Sequence, residues 1–303
     1  MTTGVVVMAY GTPRHPDEIE AYYTDIRRGR PPTADQLADL VARYRAIGGI
    51  SPLAERTEEQ RVAIAAALDK RRPGEFVVEL GQKHAAPSIE DAVAKLHLAG
   101  VDRVVGIVLA PHYSSFSIAQ YLDRARSAAK ALHLPFAGVE SWHLEPAYIE
   151  FLVSAVREAV AGSFAGMKVI FTAHSLPQRI IDAGDPYPSQ LRETASAVAQ
   201  RVGLAEWSQW AIAWQSAGRT PEPWLGPDIL TVLRDLGASE GASRVVVCAC
   251  GFVADHLEVL YDLDIEAARV AFEAGLTFAR TRCVNDDPAV MGALADLVID
   301  RAR

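Results

Sequence analysis

Short apolar runs rich in valine and isoleucine recur along the chain, and they alternate with longer stretches in which apolar residues return every three or four positions. Runs of the first kind predict β-strands buried on both faces, and stretches of the second kind predict amphipathic helices. The predicted strands are 4–10, 76–80, 103–110, 168–174, 210–217 and 244–250, with weaker ones near 136–141 and 276–281. The predicted helices are 16–28, 34–46, 55–71, 88–98, 117–132, 146–163, 187–203, 227–236, 254–272 and 287–302.

Strands that alternate with helices predict parallel sheets joined by right-handed crossovers. The strands form two sets of about four, which meet near residues 135–150. We therefore expect an α/β protein of two similar Rossmann-like domains, 1–140 and 141–303, with a last helix, 287–303, that is able to pack back on the first domain. In such sheets ligands bind beyond the carboxyl ends of the strands, so the residues just past each strand are the first candidates for a site.

Composition narrows the class of protein. Half of the 303 residues are apolar and 22% are charged, as in a soluble globular protein. The net charge of −8 argues against a general nucleic-acid binder. The N-terminal MTTGVVVMAY has no basic segment, and no apolar stretch approaches the ~20 residues that a membrane-spanning helix needs. We therefore expect a cytoplasmic protein with no nucleic-acid partner and no stable membrane insertion.

The run VIFTAHSLP at 169–177 predicts a strand that ends at His174. Many histidines at strand ends only face water, so a function for His174 requires partners. The segment DHLEVLYDLDIE supplies candidates, since a helix there places Glu258, Asp262 and Glu266 on one stripe. A solvated acidic face usually interleaves basic residues, and none occurs from 252 to 268. The stripe is easier to explain if it meets a cation, and an imidazole with carboxylates suits a divalent ion such as Fe²⁺.

Several longer motifs carry a resemblance to a known family. They are HSLP at 174–177 followed by Gly184, Asp185 and Tyr187, AYGTP at 9–13, RRGR at 27–30, RYRAIGGISPLAERT at 43–57, QSAGRTPEPWLGPD at 215–228 and GFVADHLEVLYDLD at 251–264. With these motifs the chain resembles the ferrochelatases, most closely the short Gram-positive-type enzymes that act on coproporphyrin III. The resemblance implies a fold like that of the class II chelatases, with a porphyrin cleft between the two domains.

The resemblance also implies a reaction and a set of site residues. Fe²⁺ is inserted into the porphyrin, and two protons are released. His174 and Glu258 are implied as the catalytic pair that binds iron, with Asp262 and Glu266 as further metal-binding positions along a route for iron or protons. Whether His174 acts mainly as ligand or as base stays open. The implied substrate-binding residues are Tyr10, Arg27, Arg43, Tyr44, Ser51 and Tyr121.

Tyr10 matches a position that ligates iron from the opposite face of the product, and the other five match contacts to propionates. Judged without the resemblance, Arg27 would pass for an ordinary helix-end cation and Tyr10 for a residue that ends a strand. Lys83 and His84 follow a predicted strand, and we expect them only beside the site.

No cofactor is expected beyond the Fe²⁺ substrate. The chain has three cysteines, Cys248, Cys250 and Cys283, which are too few and too unevenly spaced for a four-ligand cluster. It ends at Arg303, without the cysteine-bearing C-terminal extension of some relatives, so we expect no [2Fe–2S] cluster. The resemblance implies a monomer and a downstream coprohaem decarboxylase that receives the product.

Three alternatives stay open at this point. One is a ferrochelatase that acts on protoporphyrin IX, and the second is a cobalt or sirohydrochlorin chelatase. The third is a carrier of haem or porphyrin, which would have no need of the acidic stripe. The polar character of the five propionate-contact positions favours a substrate with four propionates over one with two propionates and two vinyl groups.

Overall fold

The computed structural model describes residues 2–162, 165–205, 208–218, 220–239 and 241–303. The last position of the helix predicted over 146–163, and residue 219 of the motif at 215–228, lie outside these ranges. The strands are β1 Thr3–Ala9, β2 Phe76–Gln82, β3 Arg103–Val108, β4 Phe136–Val139, β5 Met167–His174, β6 Trp210–Gln215, β7 Arg244–Cys248 and β8 Thr277–Arg280. The first six helices are α1 Ile19–Ile26, α2 Ala34–Ala46, α3 Leu53–Arg71, α4 Ile89–Leu98, α5 Ile118–Ala131 and α6 Pro146–Val160. The next six are α7 Gln178–Asp182, α8 Tyr187–Val202, α9 Ile229–Ala238, α10 Leu257–Leu260, α11 Ala268–Glu273 and α12 Pro288–Arg301.

The strands form two parallel four-stranded sheets with the same spatial pattern, β2-β1-β3-β4 and β6-β5-β7-β8. Each half of the chain therefore builds a similar open sheet flanked by helices, which confirms the predicted α/β fold class. In the second sheet, β5 lies between β6 and β7, and His174 pairs in register with Gln215. The central strands β1 and β5 thus direct their carboxyl ends toward the switch point of each sheet, where ligands bind in folds of this kind.

Successive side chains of each central strand point to opposite faces of the sheet and therefore enter different cores. Val5 and Val7 of β1 enter the core shared by the two halves of the molecule, whereas Val6 and Met8 enter the core under α4 and α5. β5 divides its apolar residues in the same way, between the shared core and the core under α9 and α11. Burial on both faces explains why the sequence shows continuous apolar runs instead of alternation.

The final helix, α12, packs against α3 of the first half. Leu294 of α12 lies in the shared core with Ile64 and Leu68 of α3. At the edge of this contact, the guanidinium of Arg71 donates to both carboxylate oxygens of Asp296, at 2.6 and 3.0 Å. The last helix of the chain therefore packs on the first half of the molecule, although it follows the second sheet in sequence.

Two local departures from the predicted elements matter for the site. The segment predicted as one helix over 254–272 is α10, then a π-helix over Asp262–Ala267, then α11. The cause is an inserted residue, because the Tyr261 carbonyl accepts from the amide of Glu266 at 3.0 Å as well as from Ile265 at 3.3 Å. The strand predicted over 210–217 ends at Gln215, since Ser216 takes a left-handed conformation with φ of 58°.

Among the described residues, no helix combines the length and the apolar character needed to cross a membrane.

Candidate active site

His174 is the last residue of β5, and its two ring nitrogens have different surroundings. Nδ1 lies 2.5 Å from the carbonyl oxygen of Ser175, which can only accept, so Nδ1 carries a proton. Nε2 faces Oε1 of Glu258 at 3.6 Å, which is too long for a hydrogen bond. A nitrogen lone pair and a carboxylate that face each other at this distance repel unless a proton or a cation lies between them. The arrangement therefore suits the binding of a proton or a metal ion.

A second imidazole faces the other oxygen of Glu258. Nε2 of His256 lies 3.6 Å from Oε2, and Nδ1 lies 3.0 Å from the carbonyl oxygen of Ala254. His256 was not among the predicted site residues. It precedes α10 in an extended conformation, with φ of −157°, so it does not lie on the helical stripe that the sequence analysis considered. The motif DHLE contains the signal, since it places an imidazole two residues before a candidate carboxylate.

The Glu258 carboxyl is ionised in this setting. Burial in the site opposes its ionisation, but the facing imidazoles of His174 and His256 and the charge of Arg43 outweigh burial and lower the pKa of Glu258 below its ordinary value. The main chain of Glu258 is also fixed, because Nε2 of Gln215 donates to its carbonyl at 3.1 Å. The carboxylate is thus a positioned base or ligand at the carboxyl ends of β5 and β6.

Tyr10 follows β1 and belongs to the first half of the molecule. Its ring is 41% exposed and lies 4.6 Å, centroid to centroid, from the ring of His84, whose Nδ1 is 2.6 Å from Oδ2 of Asp25. Partial burial and the charge of the Glu258 carboxylate raise the pKa of the Tyr10 phenol, so the hydroxyl is protonated at neutral pH. We use "the cleft" for the region around Tyr10, Arg43, His174 and Glu258, in which the charge of Glu258 acts on Tyr10 and the charge of Arg43 acts on Glu258.

The acidic stripe meets a cation of the protein itself. Oδ1 of Asp262 accepts from Nη1 of Arg43 at 3.2 Å, and Oδ2 accepts a short hydrogen bond from the hydroxyl of Ser216. Arg43 also donates from Nε to Oδ2 of Asp39 at 3.1 Å. No basic residue lies within 252–268, so the counter-charge of Asp262 comes from outside that segment. Its partner lies on α2, 219 residues away in sequence, where no local pattern could reveal it.

The ionised form of Asp262 is destabilised despite these partners. Burial and the charge of Glu258 raise its pKa to about 6, against the opposing effects of Ser216 and Arg43. Glu266 lies one step further along the π-helix and is half-buried. Within the described ranges, no three side chains of histidine, cysteine, aspartate or glutamate converge closely enough to hold a metal ion by themselves. An ion bound here would complete its coordination with other donors.

The residues matched to propionate contacts differ in accessibility. Tyr44, Ser51 and Tyr121 are buried, with exposed fractions of 2%, 4% and 4%. The hydroxyl of Tyr44 lies 3.4 Å from that of Thr12, and Oγ of Ser51 accepts from the amide of Leu53 at the start of α3. Arg27 is half-buried at the end of α1, where Nε donates to the carbonyl of Arg30 at 3.2 Å. Arg43 and Tyr44 thus lie next to each other on α2, whereas Arg27 lies at the end of α1.

Lys83 is a further cation near this group. Its Nζ donates to Oε1 of Gln120 at 2.8 Å and lies 5.1 Å from the ring centroid of Tyr121. Burial and the nearby guanidinium groups of Arg124 and Arg28 lower the pKa of Lys83 to about 8. The sequence placed Lys83 only beside the site, and its contact with Tyr121 connects it to the residues matched to propionate binding.

A comparison of the sequence with known protein families agrees with this geometry. A sequence model of the ferrochelatase family matches residues 2–302, which is nearly the whole chain. The chain belongs to the ferrochelatase family. A coproporphyrin III ferrochelatase of Geobacillus kaustophilus is 48% identical over 99% of this chain and 96% of its own length. A coproporphyrin III ferrochelatase of Halalkalibacterium halodurans is 47% identical over 97% of this chain and 96% of its own length.

Solved structures of more distant chelatases share the fold of this ferrochelatase family member. The sirohydrochlorin chelatase SirB of Bacillus subtilis subspecies spizizenii, in complex with cobalt, aligns with a TM-score of 0.60 over 100% of this chain and 96% of its own, at 9% identity. CbiX, the terminal enzyme of sirohaem biosynthesis in denitrifying bacteria, aligns with a TM-score of 0.57 over 100% of both chains, at 15% identity. At these identities the likeness concerns the two-sheet architecture, as expected for a class II chelatase fold.

Proposed function

We propose that this protein inserts Fe²⁺ into coproporphyrin III and releases two protons, forming iron-coproporphyrin. The observation that carries the proposal is the facing pair of His174 Nε2 and Glu258 Oε1, 3.6 Å apart at the carboxyl end of β5. The coproporphyrin III ferrochelatases at 48% and 47% identity over nearly the full length support the choice of metal and porphyrin.

Metal insertion requires that two pyrrole N–H protons leave while iron exchanges its water ligands for nitrogen. His174 can accept a proton at Nε2, because its Nδ1 proton is held by the Ser175 carbonyl. Glu258 is ionised and can stabilise either the imidazolium or the iron. An imidazole nitrogen and a carboxylate oxygen suit Fe²⁺, and the porphyrin nitrogens supply the remaining donors. We assign both residues to one face of the macrocycle and Tyr10 to the opposite face.

Asp262 and Glu266 continue from Glu258 along the π-helix. We propose that these two carboxylates guide the metal ion toward Glu258. Asp262 suits the task because burial leaves its carboxylate poorly solvated, so a divalent cation gains more there than at an exposed aspartate. The four carboxylate and imidazole groups would then form a path that ends at the porphyrin.

The porphyrin would be held at its edge by polar groups. The residues that we assign to this role are Arg27, Arg43, Tyr44, Ser51 and Tyr121. Charge-assisted hydrogen bonds between such groups and a shielded carboxylate contribute roughly 1.5–3 kcal/mol each. Vinyl groups in place of two propionates would leave polar groups without partners, and sites of this kind discriminate strongly against such analogues. We therefore propose coproporphyrin III over protoporphyrin IX.

We further propose that the chain works as a monomer, uses no [2Fe–2S] cluster and passes its product to a coprohaem decarboxylase. Support for these points comes from the resemblance to the Gram-positive-type enzymes.

The proposal is tested by anaerobic metallation in detergent-free buffer. Free-base coproporphyrin III and protoporphyrin IX are each incubated with Fe²⁺, with and without the protein, and iron insertion is followed by absorbance. We expect a protein-dependent rate with a higher kcat/KM for coproporphyrin III. Binding without faster metallation would identify a carrier instead. Equal or better turnover of protoporphyrin IX would overturn the assignment of the substrate.

A further inference from the structure

Arg43 already donates hydrogen bonds to two carboxylates, and these bonds restrict how a third carboxylate can bind to it. A guanidinium binds a carboxylate best through two parallel N–H bonds, from either its Nε/Nη2 edge or its Nη1/Nη2 edge. Nε is used by Asp39 at 3.1 Å, and Nη1 is used by Asp262 at 3.2 Å. Each edge therefore has one nitrogen in use. A propionate that binds Arg43 through both nitrogens of either edge therefore competes with one of the two aspartates.

The surroundings favour displacement of Asp262. Asp39 lies four residues before Arg43 on the same helix, so this pair moves as a unit and is partly exposed to water. Asp262 reaches Arg43 from the other half of the molecule, and it follows Glu258, one of the residues that define the cleft, by four positions. Asp262 also keeps a second partner, because the hydroxyl of Ser216 donates to its other oxygen. The loss of Arg43 therefore leaves Asp262 in position.

Ser216 is held in an unusual conformation for this contact. Its φ of 58° lies in the left-handed region, which a serine rarely adopts and which costs free energy. The conformation ends β6 and turns the hydroxyl toward Asp262. Ser216 thus supports the Asp262 carboxylate independently of Arg43.

We propose that Arg43 exchanges partners: a propionate of the porphyrin displaces Asp262 from Arg43, and the released Asp262 carboxylate becomes available to the incoming metal ion. The exchange rests on the proposed function, and it gives an order to that function. Before the porphyrin binds, the guanidinium neutralises Asp262 and repels a cation. After it binds, the carboxylate is supported by Ser216 alone. Porphyrin and metal must then favour each other's binding by the same factor, because such coupling is reciprocal.

The first test measures porphyrin affinity without metal. Free-base coproporphyrin III is titrated in the presence of a chelator, and its dissociation constant is read from fluorescence. Asp262→Asn removes the competitor of the propionate, so we expect a dissociation constant at least about fivefold lower than in the wild type, within the usual range of coupling. In an Arg43→Met background, Asp262→Asn should change the constant by less than about twofold.

Two matched variants separate the exchange from a general effect of charge. Glu266→Gln removes an equal negative charge from the same helical segment, and Asp39→Asn removes the other carboxylate that bonds to Arg43. We expect each to lower the dissociation constant by clearly less than Asp262→Asn does. An equal gain in porphyrin affinity from Glu266→Gln would show that the effect comes from negative charge in general, and it would overturn the proposal. A larger gain from Asp39→Asn would show that the propionate displaces the other aspartate, and would also overturn it.

The second test uses the wild-type protein, so it does not depend on the folding of a variant. Co²⁺ binding is measured by calorimetry, with and without saturating zinc coproporphyrin III, whose centre is already filled. We expect the porphyrin to tighten Co²⁺ binding about fivefold or more. Unchanged or weaker Co²⁺ binding would contradict the exchange.

Fe²⁺ insertion by the wild type is assayed in parallel. Failure of that reaction would refute the proposed function itself. Normal insertion with none of the expected changes in affinity would refute only the exchange.

Discussion

At the scale of single residues, Glu258 determines the chemistry that we propose, because each of its carboxylate oxygens faces an imidazole nitrogen. Both histidines donate from Nδ1 to a main-chain carbonyl, so both direct Nε2 toward the same carboxylate. The two contacts are equal in length, at 3.6 Å. Position in the fold distinguishes the histidines, since His174 ends the central strand β5 and His256 precedes α10.

We predict that His174→Ala abolishes iron insertion while the porphyrin still binds with similar affinity. The imidazole contacts the reacting centre, whereas affinity comes from the faces and carboxylates of the macrocycle. A positioned acid–base group contributes about 10²–10⁴-fold to the rate. Steady-state kinetics and a porphyrin titration on the same preparation check both parts. A variant that keeps more than about a tenth of the wild-type rate would show that the assigned role is wrong.

We predict that His256→Ala moves the acidic limb of the pH–rate profile to higher pH. The His256 imidazole lies 3.6 Å from the carboxylate and lowers the pKa of the Glu258 carboxyl by stabilising its ionised form electrostatically. Without that imidazole the carboxyl protonates at a higher pH, so activity is lost sooner as the pH falls. The measurement is kcat/KM for coproporphyrin III across the acidic range. His97→Ala, which removes an exposed imidazole from α4, serves as the control and should leave the profile in place.

At the scale of elements, the site depends on how closely the turn after β7 approaches β5. The amide of Gly251 donates to the carbonyl of Thr172 at 2.9 Å, beside the end of β5. A Cβ on Gly251 would lie 2.3 Å from the Cβ of Ala173 and 2.6 Å from its Cα. Only glycine permits this contact, which fixes the end of the strand that carries His174.

Gly251→Ala should therefore lower both stability and activity. Overpacking of this kind typically costs about 1–3 kcal/mol, and relief of the clash must displace the main chain next to His174. Urea unfolding should show the loss of stability, and the metallation assay should show a reduced kcat. In Gly226→Ala, by contrast, the new Cβ would meet only a main-chain nitrogen at 3.9 Å, so stability should change little. An unaltered midpoint for Gly251→Ala would contradict the packing argument.

At the scale of the whole molecule, a polar network joins the two halves on one side. Asp185, from the loop before α8, accepts from the hydroxyls of Ser114 and Ser115 at 3.1 and 2.7 Å and from the amide of Ser115 at 2.7 Å. Gln190 of α8 accepts from the amide of Tyr113 at 2.7 Å. The Arg43–Asp262 pair connects the same two halves at the cleft. The halves are thus fixed together by many bonds at the network and by an exchangeable pair at the cleft.

His112 makes this network sensitive to acid. Its Nε2 lies 2.9 Å from the hydroxyl of Thr194, which itself donates to the carbonyl of His143, so Nε2 carries the proton. Nδ1 is buried and, within the described residues, has no hydrogen-bond partner. Burial, with a smaller contribution from His143, lowers the pKa of His112 to about 3. The folded protein therefore resists protonation at a position that the unfolded chain protonates near its ordinary pKa of about 6.5.

We predict that stability falls as the pH drops from 7 to 5, and that His112→Gln reduces this dependence. The folded-state pKa lies below the unfolded value, so the unfolded chain binds more protons in this range and gains free energy. The contribution of His112 to the loss is about 2 kcal/mol. Urea unfolding at both pH values measures it as the difference between wild type and variant. A wild-type dependence retained in full by His112→Gln would exclude this residue as its source.

The sequence by itself determined the α/β class and the candidate carboxylates. Burial on both faces leaves continuous apolar runs, which is why the central strands β1 and β5 could be located within a residue or two. Long motifs that include His174 and Glu258 indicated the family, because each of these motifs contains several chemically specific residues in one continuous stretch. The site assignments themselves stay predictions, and the kinetic and binding measurements above test them.

Only the tertiary structure decided how those side chains meet. The π-helix could not be predicted from a pattern of spacing, since the whole stretch 254–272 has apolar residues at the spacing of an ordinary helix. His256 reaches Glu258 through an extended main chain, and Arg43 reaches Asp262 across 219 residues of sequence. The physical reason is that local patterns record which face of one element is buried, whereas a charge pair between elements depends on how separate elements pack against each other.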